Sequence, residues 1–145
     1  MAQLELITIL IACYAALVAT IGLGWNTYNI WRDRAKIKVR VSHGFLVYGP
    51  SLSEDLYIFI EAINKGRRPV TLTSVGFKLK NGHDIVFTKS RELPTELTEG
   101  KSYQEWISKE EIKKDCQKLK TSIKYAWFKD ATGRIYKERY RLKDA

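Results

Sequence analysis

Two hydrophobic patterns divide the chain near residue 35. Residues 6–25, LITILIACYAALVATIGLGW, are mostly apolar and contain no charged side chain. At about 1.5 Å rise per residue, a helix of this length matches a hydrocarbon core of roughly 30 Å. From residue 37 onward apolar and polar residues alternate, which is typical of half-buried β-strands. The pattern predicts a transmembrane helix within residues 1–34 and a β domain in residues 35–145.

The polar flank of the apolar segment predicts its orientation. Five basic residues follow the segment, with Asp33 the only acid among them: Arg32, Arg34, Lys36, Lys38 and Arg40. Only Glu5 is charged ahead of the segment, apart from the N-terminus itself. By the positive-inside rule we expect an inner-membrane protein with its N-terminus outside and its β domain in the cytosol. The five basic side chains are expected to contact lipid headgroups.

Other interpretations of the apolar segment stay open. A core helix of a soluble protein would have the same composition. Leu10-Ile11-Ala12-Cys13 resembles a lipoprotein cleavage site, whose cysteine would be lipidated. A cleaved signal is disfavoured because no basic side chain precedes the segment and the residues after Cys13 remain apolar.

Small residues recur within the apolar segment at three- and four-residue steps. They are Ala12, Ala15, Ala16 and Ala19. Small residues on one side of a membrane helix allow two helices to approach closely. The spacing is therefore consistent with self-association into a homo-oligomer, or with a plain lipid-facing surface.

The alternating segments predict an antiparallel sandwich. Apolar residues occupy every second position in 37–41, 56–62 and 75–79. Further strands are predicted at 85–88, 123–129 and 134–142. Turn signals about every ten residues favour a mostly β, immunoglobulin-like sandwich of two sheets. A small open barrel is the alternative.

Two turns and one helix are predicted from local signals. Asn81-Gly82 predicts a type I′ hairpin with positive φ at both residues. Asp130-Ala131-Thr132-Gly133 predicts a second hairpin with Gly133 in the left-handed conformation. Ser108-Lys109-Glu110-Glu111 forms a capping box, and Ile112, Cys116 and Leu119 follow it at helical spacing. A short helix is therefore expected between the strands.

The sequence offers little catalytic chemistry. Cys13 and Cys116 cannot form a disulfide within the β domain, which suits a reducing cytosol. Those cysteines and the two histidines, His43 and His83, lack metal-ligand spacing. Gly100-Lys101-Ser102 lacks the first glycine of a phosphate-binding loop, because Thr95 occupies its place. We predict no cofactor, no metal and no catalytic residue.

Charge raises a second interpretation. The chain carries a formal net charge of +9, and residues 41–145 contain 20 basic and 14 acidic side chains. Near the C-terminus the basic residues alternate with Tyr136 and Tyr140: Arg134, Lys137, Arg139, Arg141 and Lys143. Such a composition can hold phosphates and stack bases. Attraction to a lipid surface would explain the same charge.

One segment resembles a known group of proteins. Asn64-x-Gly66-x-x-Pro69-Val70-Thr71, followed by Val75-Gly76-Phe77, is similar to a segment of small bacterial and phage single-pass membrane proteins with an immunoglobulin-like sandwich. Leu93-Pro94 and Ala126-Trp127-Phe128-x-Asp130 complete the resemblance. It implies the sandwich fold and no particular activity.

These features together predict a non-catalytic, membrane-tethered binding module. Tethering raises the effective concentration of a domain near membrane partners. The predicted contact with a protein partner is an exposed sheet edge or the turn that holds Asn64, Arg67 and Arg68. The alternative function is a basic membrane-proximal effector, for example in phage defence or exclusion, that contacts nucleic acid or anionic lipid through the C-terminal strand.

Overall fold

The computed structural model describes residues 2–88 and 92–142. Those residues form two helices and eight strands, and the chain divides into two compact units, residues 1–34 and 35–145. The elements are α1 (Ala2–Arg32), β1 (Ile37–Tyr48), β2 (Ser51–Asn64), β3 (Val70–Leu79), β4 (Asp84–Val86), β5 (Thr95–Leu97), β6 (Ser102–Ser108), α2 (Lys109–Lys118), β7 (Ile123–Asp130) and β8 (Ile135–Arg139). The predicted fold class is confirmed: an N-terminal helix precedes antiparallel sheets and one short helix.

Helix α1 is long and apolar enough to cross a membrane. Its 31 residues bury no side chain within the structure. Its threonine hydroxyls donate to carbonyl oxygens of the preceding turn, as Thr8 does to Leu4 and Thr20 to Ala16, at 2.9 and 2.8 Å. Such back-bonding satisfies a hydroxyl without water, which suits a hydrocarbon environment.

The β domain consists of two antiparallel sheets. One has three strands in the order β1-β2-β6, and the other has five, in the order β4-β3-β7-β8 with β5 also paired to β3. The inward side chains of the two sheets form one core, with Phe77 and Phe128 its largest fully buried members. Ile112 and Cys116 of α2 join that core. The apolar side chains at every second position of the predicted strands therefore point inward and form the core of the domain.

Both predicted hairpins form, and they share one geometry. In the first hairpin, the Gly82 amide donates to the Leu79 carbonyl and the Leu79 amide donates to the His83 carbonyl. In the second, the Gly133 amide donates to the Asp130 carbonyl and the Asp130 amide donates to the Arg134 carbonyl. Within these two turns, only Gly82 and Gly133 have positive φ, at 92° and 87°. The type I′ prediction for Asn81-Gly82 was therefore wrong. The Asn81 side-chain oxygen instead accepts from the His83 amide, so a type I turn precedes a left-handed glycine.

Several element bounds differ from prediction. Ser108 is the N-cap of α2, but its side chain makes no capping hydrogen bond. Leu119 ends α2 and is 44% exposed, so it does not join the buried side of the helix. The strand predicted at 134–142 ends at Arg139, because Tyr140 turns into the core. Residues 89–91 of the predicted loop lie outside the described residues.

Candidate binding surface

The outer face of the five-stranded sheet carries three rows of side chains. Residues directly opposite each other on antiparallel strands point to the same face. The rows are Lys78, Tyr125 and Arg139; Gly76, Trp127 and Lys137; and Ser74, Lys129 and Ile135. Three further basic residues, Lys80, Lys124 and Arg141, line a groove with Arg139 at the end of the sheet. We call this set of side chains the basic face.

The basic face accounts for the excess charge of residues 41–145. Its seven basic side chains meet one acid among the described residues, Asp84, which binds Lys78 at 2.9 Å. Residues 41–145 hold 20 basic and 14 acidic side chains, so thirteen of each remain elsewhere. The rest of that region is electrically balanced. A surface of one sign attracts oppositely charged partners from a distance.

Trp127 and Gly76 fix the middle row of the basic face. A Cβ atom on Gly76 would overlap the carbonyl oxygen of Ile85 and lie 3.0 Å from Cζ2 of Trp127. The absence of a side chain at Gly76 therefore lets β4 approach and lets the indole lie across β3. Trp127 is 7% exposed, and its indole N–H has no hydrogen-bond partner in the described structure.

Tyr136 and Tyr140, the tyrosines among the C-terminal basic residues, contact other side chains of the domain. Tyr140 is 7% exposed, and its ring lies 5.8 Å from that of Phe77. Tyr136 donates to Asp130 at 3.0 Å, and the Lys137 ammonium lies 5.5 Å from the centre of the Tyr125 ring. The ring of Tyr140 is therefore buried in the core, whereas Tyr136 is half-buried, and contact of this strand with nucleic acid stays a prediction. Lys143, the last basic residue of that prediction, lies outside the described residues.

Asp130 stabilises the hairpin that joins β7 to β8. Its Oδ1 accepts from both the amide and the hydroxyl of Thr132, at 2.9 and 2.6 Å, and from the amide of Arg134. Burial alone would raise the pKa of Asp130, but these hydrogen bonds and that from Tyr136 together hold it below its usual range. The carboxylate is therefore a structural anion and not part of a ligand site.

The predicted partner site at the turn after β2 needs one correction. Asn64 is fully buried; its Nδ2 donates to Arg68 and Leu97 carbonyls at 2.9 and 2.8 Å, and its Oδ1 accepts from the Gly66 amide. It cannot contact a partner, and it acts instead by shaping the turn. Arg67 and Arg68 are exposed on that turn. In the sequence, only the motif that carries the family resemblance pointed to the role of Asn64 in shaping this turn.

The predicted lipid-contacting residues fall in both compact units. Arg32 closes α1, with its guanidinium 5.9 Å from the Tyr28 ring centre, and Arg34 follows it. Lys38 and Arg40 lie on β1, on the outer face of the three-stranded sheet, opposite Ile63 and Glu61. The fifth residue, Lys36, accepts a backbone hydrogen bond from Lys65 at 2.8 Å. The structure thus brings the basic turn to the end of the domain where the chain leaves α1.

The four alanines proposed for self-association lie on α1 and are exposed. Ala12 and Ala16 are four residues apart, as are Ala15 and Ala19. Residues at this spacing lie on one side of a helix. Self-association through them stays a prediction.

A clasp joins the edges of the two sheets. His43 of β1 and Tyr140 share a hydrogen bond of 2.7 Å between Nε2 and the phenolic oxygen. Burial, and to a lesser extent the Lys109 ammonium, lower the pKa of His43 below its ordinary 6.5. Burial raises the pKa of Tyr140 to about 12. The clasp therefore favours a neutral imidazole and a neutral phenol.

A second concavity of the β domain is lined by carboxylates. A groove of about 560 Å³ between β4, β6 and α2 is lined by Glu105, Glu111 and Asp115, among others. Glu105 is buried and accepts from Tyr103 at 2.6 Å. No group of three metal-binding side chains is found in the described part of the chain. Burial, followed by the neighbouring Asp115, raises the pKa of Cys116, so its thiol is a poor nucleophile.

Comparison with known proteins adds a loose structural likeness. No protein-family model and no curated protein sequence matches the chain. A structural genomics target solved by X-ray crystallography has 14% identity and a TM-score of 0.40, covering 74% of this chain and 86% of its own. A protein provisionally named ApaA, from Bordetella pertussis, has 9% identity and a TM-score of 0.39, covering 74% and 89%. Nothing about a ligand or an activity follows from these values.

Proposed function

We propose that this chain is a membrane-tethered, non-catalytic binding module that recognises an acidic protein surface. Helix α1 would anchor it in the inner membrane, with the β domain cytosolic and basic residues near Arg34 against the lipid headgroups. The supporting observation is the basic face, which collects the excess charge of residues 41–145 on one side of the domain. An acidic partner is favoured over nucleic acid because the face offers Lys and Arg side chains without a free aromatic ring among its described residues.

Charge reversal on the basic face tests the binding surface. The full chain in neutral detergent micelles is titrated with polyglutamate and, separately, with single-stranded DNA at several salt concentrations. Lys129→Glu with Lys137→Glu should weaken polyglutamate binding by about tenfold or more, since both side chains are exposed on the face. Lys113→Glu with Lys118→Glu changes the net charge equally on α2 and serves as the matched control.

Three outcomes distinguish the hypotheses. Equal losses in the two variants would mean that net charge alone attracts the probe, and the proposed surface would be wrong. Tighter binding of DNA than of polyglutamate, lost in the face variant, would favour the nucleic-acid alternative. A loss confined to Arg67→Ala with Arg68→Ala would move the site to the turn predicted from sequence.

Topology is tested separately in cells. The protein should stay in the membrane fraction after alkaline carbonate washing if α1 spans the bilayer. Protease added to spheroplasts should leave the β domain intact, whereas protease added to inverted vesicles should digest it. Digestion in spheroplasts would overturn the orientation. Release of the protein by carbonate would contradict the proposal that α1 spans the membrane.

A further inference from the structure

The groove at the end of the basic face has a specific structural origin. Pairing of β7 with β8 stops at Tyr125 and Arg139, although β7 begins two residues earlier, at Ile123. Beyond that pair, Tyr140 is buried, stacks on Phe77 and shares a hydrogen bond with His43. On the β8 side, residues 123–124 of β7 therefore have no strand beside them among the described residues. The result is a concavity of about 470 Å³, which we call the end groove.

Cations form nearly the whole lining of the end groove. It is lined by Lys80, Lys124, Arg139, Arg141 and the apolar Ile123. No carboxylate is among these lining residues, whereas Lys78 next to Lys80 is paired with Asp84. Four like charges around one concavity repel each other unless an anion binds between them. Its volume is within the range of small-molecule sites.

The groove lies at one end of the β domain. The backbone bond between Lys36 and Lys65 places the start of β1 at the end of the domain where β3 begins. Lys80 follows the other end of β3, which spans 10 residues, or about 33 Å of strand. The end groove therefore lies at the opposite end of the domain from Ala35.

We infer that the end groove binds a soluble polyphosphate, with the four cations holding phosphate oxygens. Arg supplies paired donors that suit phosphate geometry, and Lys supplies a mobile point charge. The groove is one part of the basic face, and it can be tested separately because Lys129 and Lys137, which are changed in the test of the partner surface, do not line it.

Titration calorimetry of the full chain in neutral detergent micelles tests this site. The probes are ADP, pyrophosphate and adenosine, and vesicles carrying an inositol bisphosphate lipid form a separate arm. ADP and pyrophosphate should both bind because the four cations hold phosphate oxygens, and adenosine, which has no phosphate, should not bind. Lys124→Gln with Arg141→Gln should weaken ADP binding by about tenfold or more. The control, Lys113→Gln with Lys118→Gln on α2, should leave the affinity unchanged.

The outcomes are distinct. Equal weakening in groove and control variants, or no binding of ADP and pyrophosphate, would overturn the inference. Binding of the vesicles alone would assign the cations to lipid and also overturn it. Thermal unfolding shows whether the exposed substitutions leave the fold intact. The variant Lys129→Glu with Lys137→Glu should keep ADP binding, so failure of this site and failure of the proposed partner surface can be told apart.

Discussion

The outer face of the three-stranded sheet and the outer face of the five-stranded sheet follow the same strand alternation but carry different side chains. On the three-stranded sheet, half-buried Phe59 and Trp106 are directly opposite each other, with ring centres 6.3 Å apart. On the five-stranded sheet, the corresponding positions hold Lys and Arg around Trp127. One face carries an aromatic pair together with Lys38, Arg40 and Glu61, and the other is mostly cationic. Alternation alone thus fixes which residues point outward, while their chemistry sets what each face can bind.

The two faces share one device. An aromatic ring lies across a glycine of the adjacent strand in each sheet, Phe59 across Gly44 and Trp127 across Gly76. A ring placed this way covers strand backbone that glycine leaves bare. The surroundings differ, because only Gly76 also faces the backbone of a third strand, at Ile85. The glycine of the cationic face is therefore required by the backbone, whereas that of the aromatic face is required only by a side chain.

Substitution of these two glycines should give the largest difference between the faces. Gly76→Ala places Cβ against the Ile85 carbonyl, which cannot move without breaking the pairing of β3 with β4. We expect a loss of about 3 kcal/mol or more in the free energy of unfolding. Gly44→Ala meets only the edge of the Phe59 ring and should cost less than about 1 kcal/mol. Urea denaturation measures both, and equal losses would contradict this contrast.

Asn64→Ala should have the next largest effect. The side chain of Asn64 links the end of β2 to Leu97 in the other sheet, so its removal leaves the buried Leu97 carbonyl, the partly buried Arg68 carbonyl and the Gly66 amide without this partner. We expect a loss of about 2–4 kcal/mol in the free energy of unfolding, again by urea denaturation. Lys65→Ala, at the exposed neighbouring position, is the control. A loss no larger than that of the control would refute the bridging role.

A double-mutant cycle between ring pairs should give a smaller difference. Phe59→Ala and Trp106→Ala should be coupled by about 0.5–1.5 kcal/mol beyond their separate losses. The same cycle for Tyr125 and Lys137 should give about 0.5 kcal/mol, because that cation is exposed to water. Reversed magnitudes would show that the cationic face, not the aromatic one, stabilises the domain.

Substitution of His43, which forms the clasp with Tyr140, should have the smallest effect, and it should be seen in the pH dependence of the free energy of unfolding. The pKa of His43 is lowered in the folded domain, so the unfolded chain takes up this proton first as the pH falls. The free energy of unfolding should therefore decrease from about pH 7 to about pH 5, and then level off once both states are protonated. His43→Gln removes this contribution. Parallel curves for the two proteins over that range would exclude it.

Sequence periodicity located the strands, because one face of each strand must be apolar to form the core. Ile58, Ile60 and Ala62 were expected inward and are fully buried, and Val75 and Phe77 follow the same rule. Gly133 was expected in the left-handed conformation and adopts it. Local signals failed where a side chain had a second partner. Asn81 bonds the His83 amide in place of taking positive φ, and Tyr140 leaves the strand for the core.

The candidate site was harder to predict than the fold. The sequence showed an excess of +6 in residues 41–145, but its basic residues are scattered from Lys78 to Arg141. Their common face depends on the order β3-β7-β8, in which β3 and β7 pair residues about fifty positions apart. Asn64 was predicted to contact a protein partner. Its burial depends on Leu97, 33 residues later in the chain.

The sequence by itself determined an apolar helix long enough to span a membrane, the alternation that makes the domain β, and the net charge. These are properties of segments, and each follows from local spacing and composition. Only the tertiary structure decided that the excess charge lies on one sheet, that an aromatic pair lies on the other, and that a cationic groove opens where Tyr140 turns inward. Those features depend on strand order and register, which are set by contacts between residues far apart in the chain.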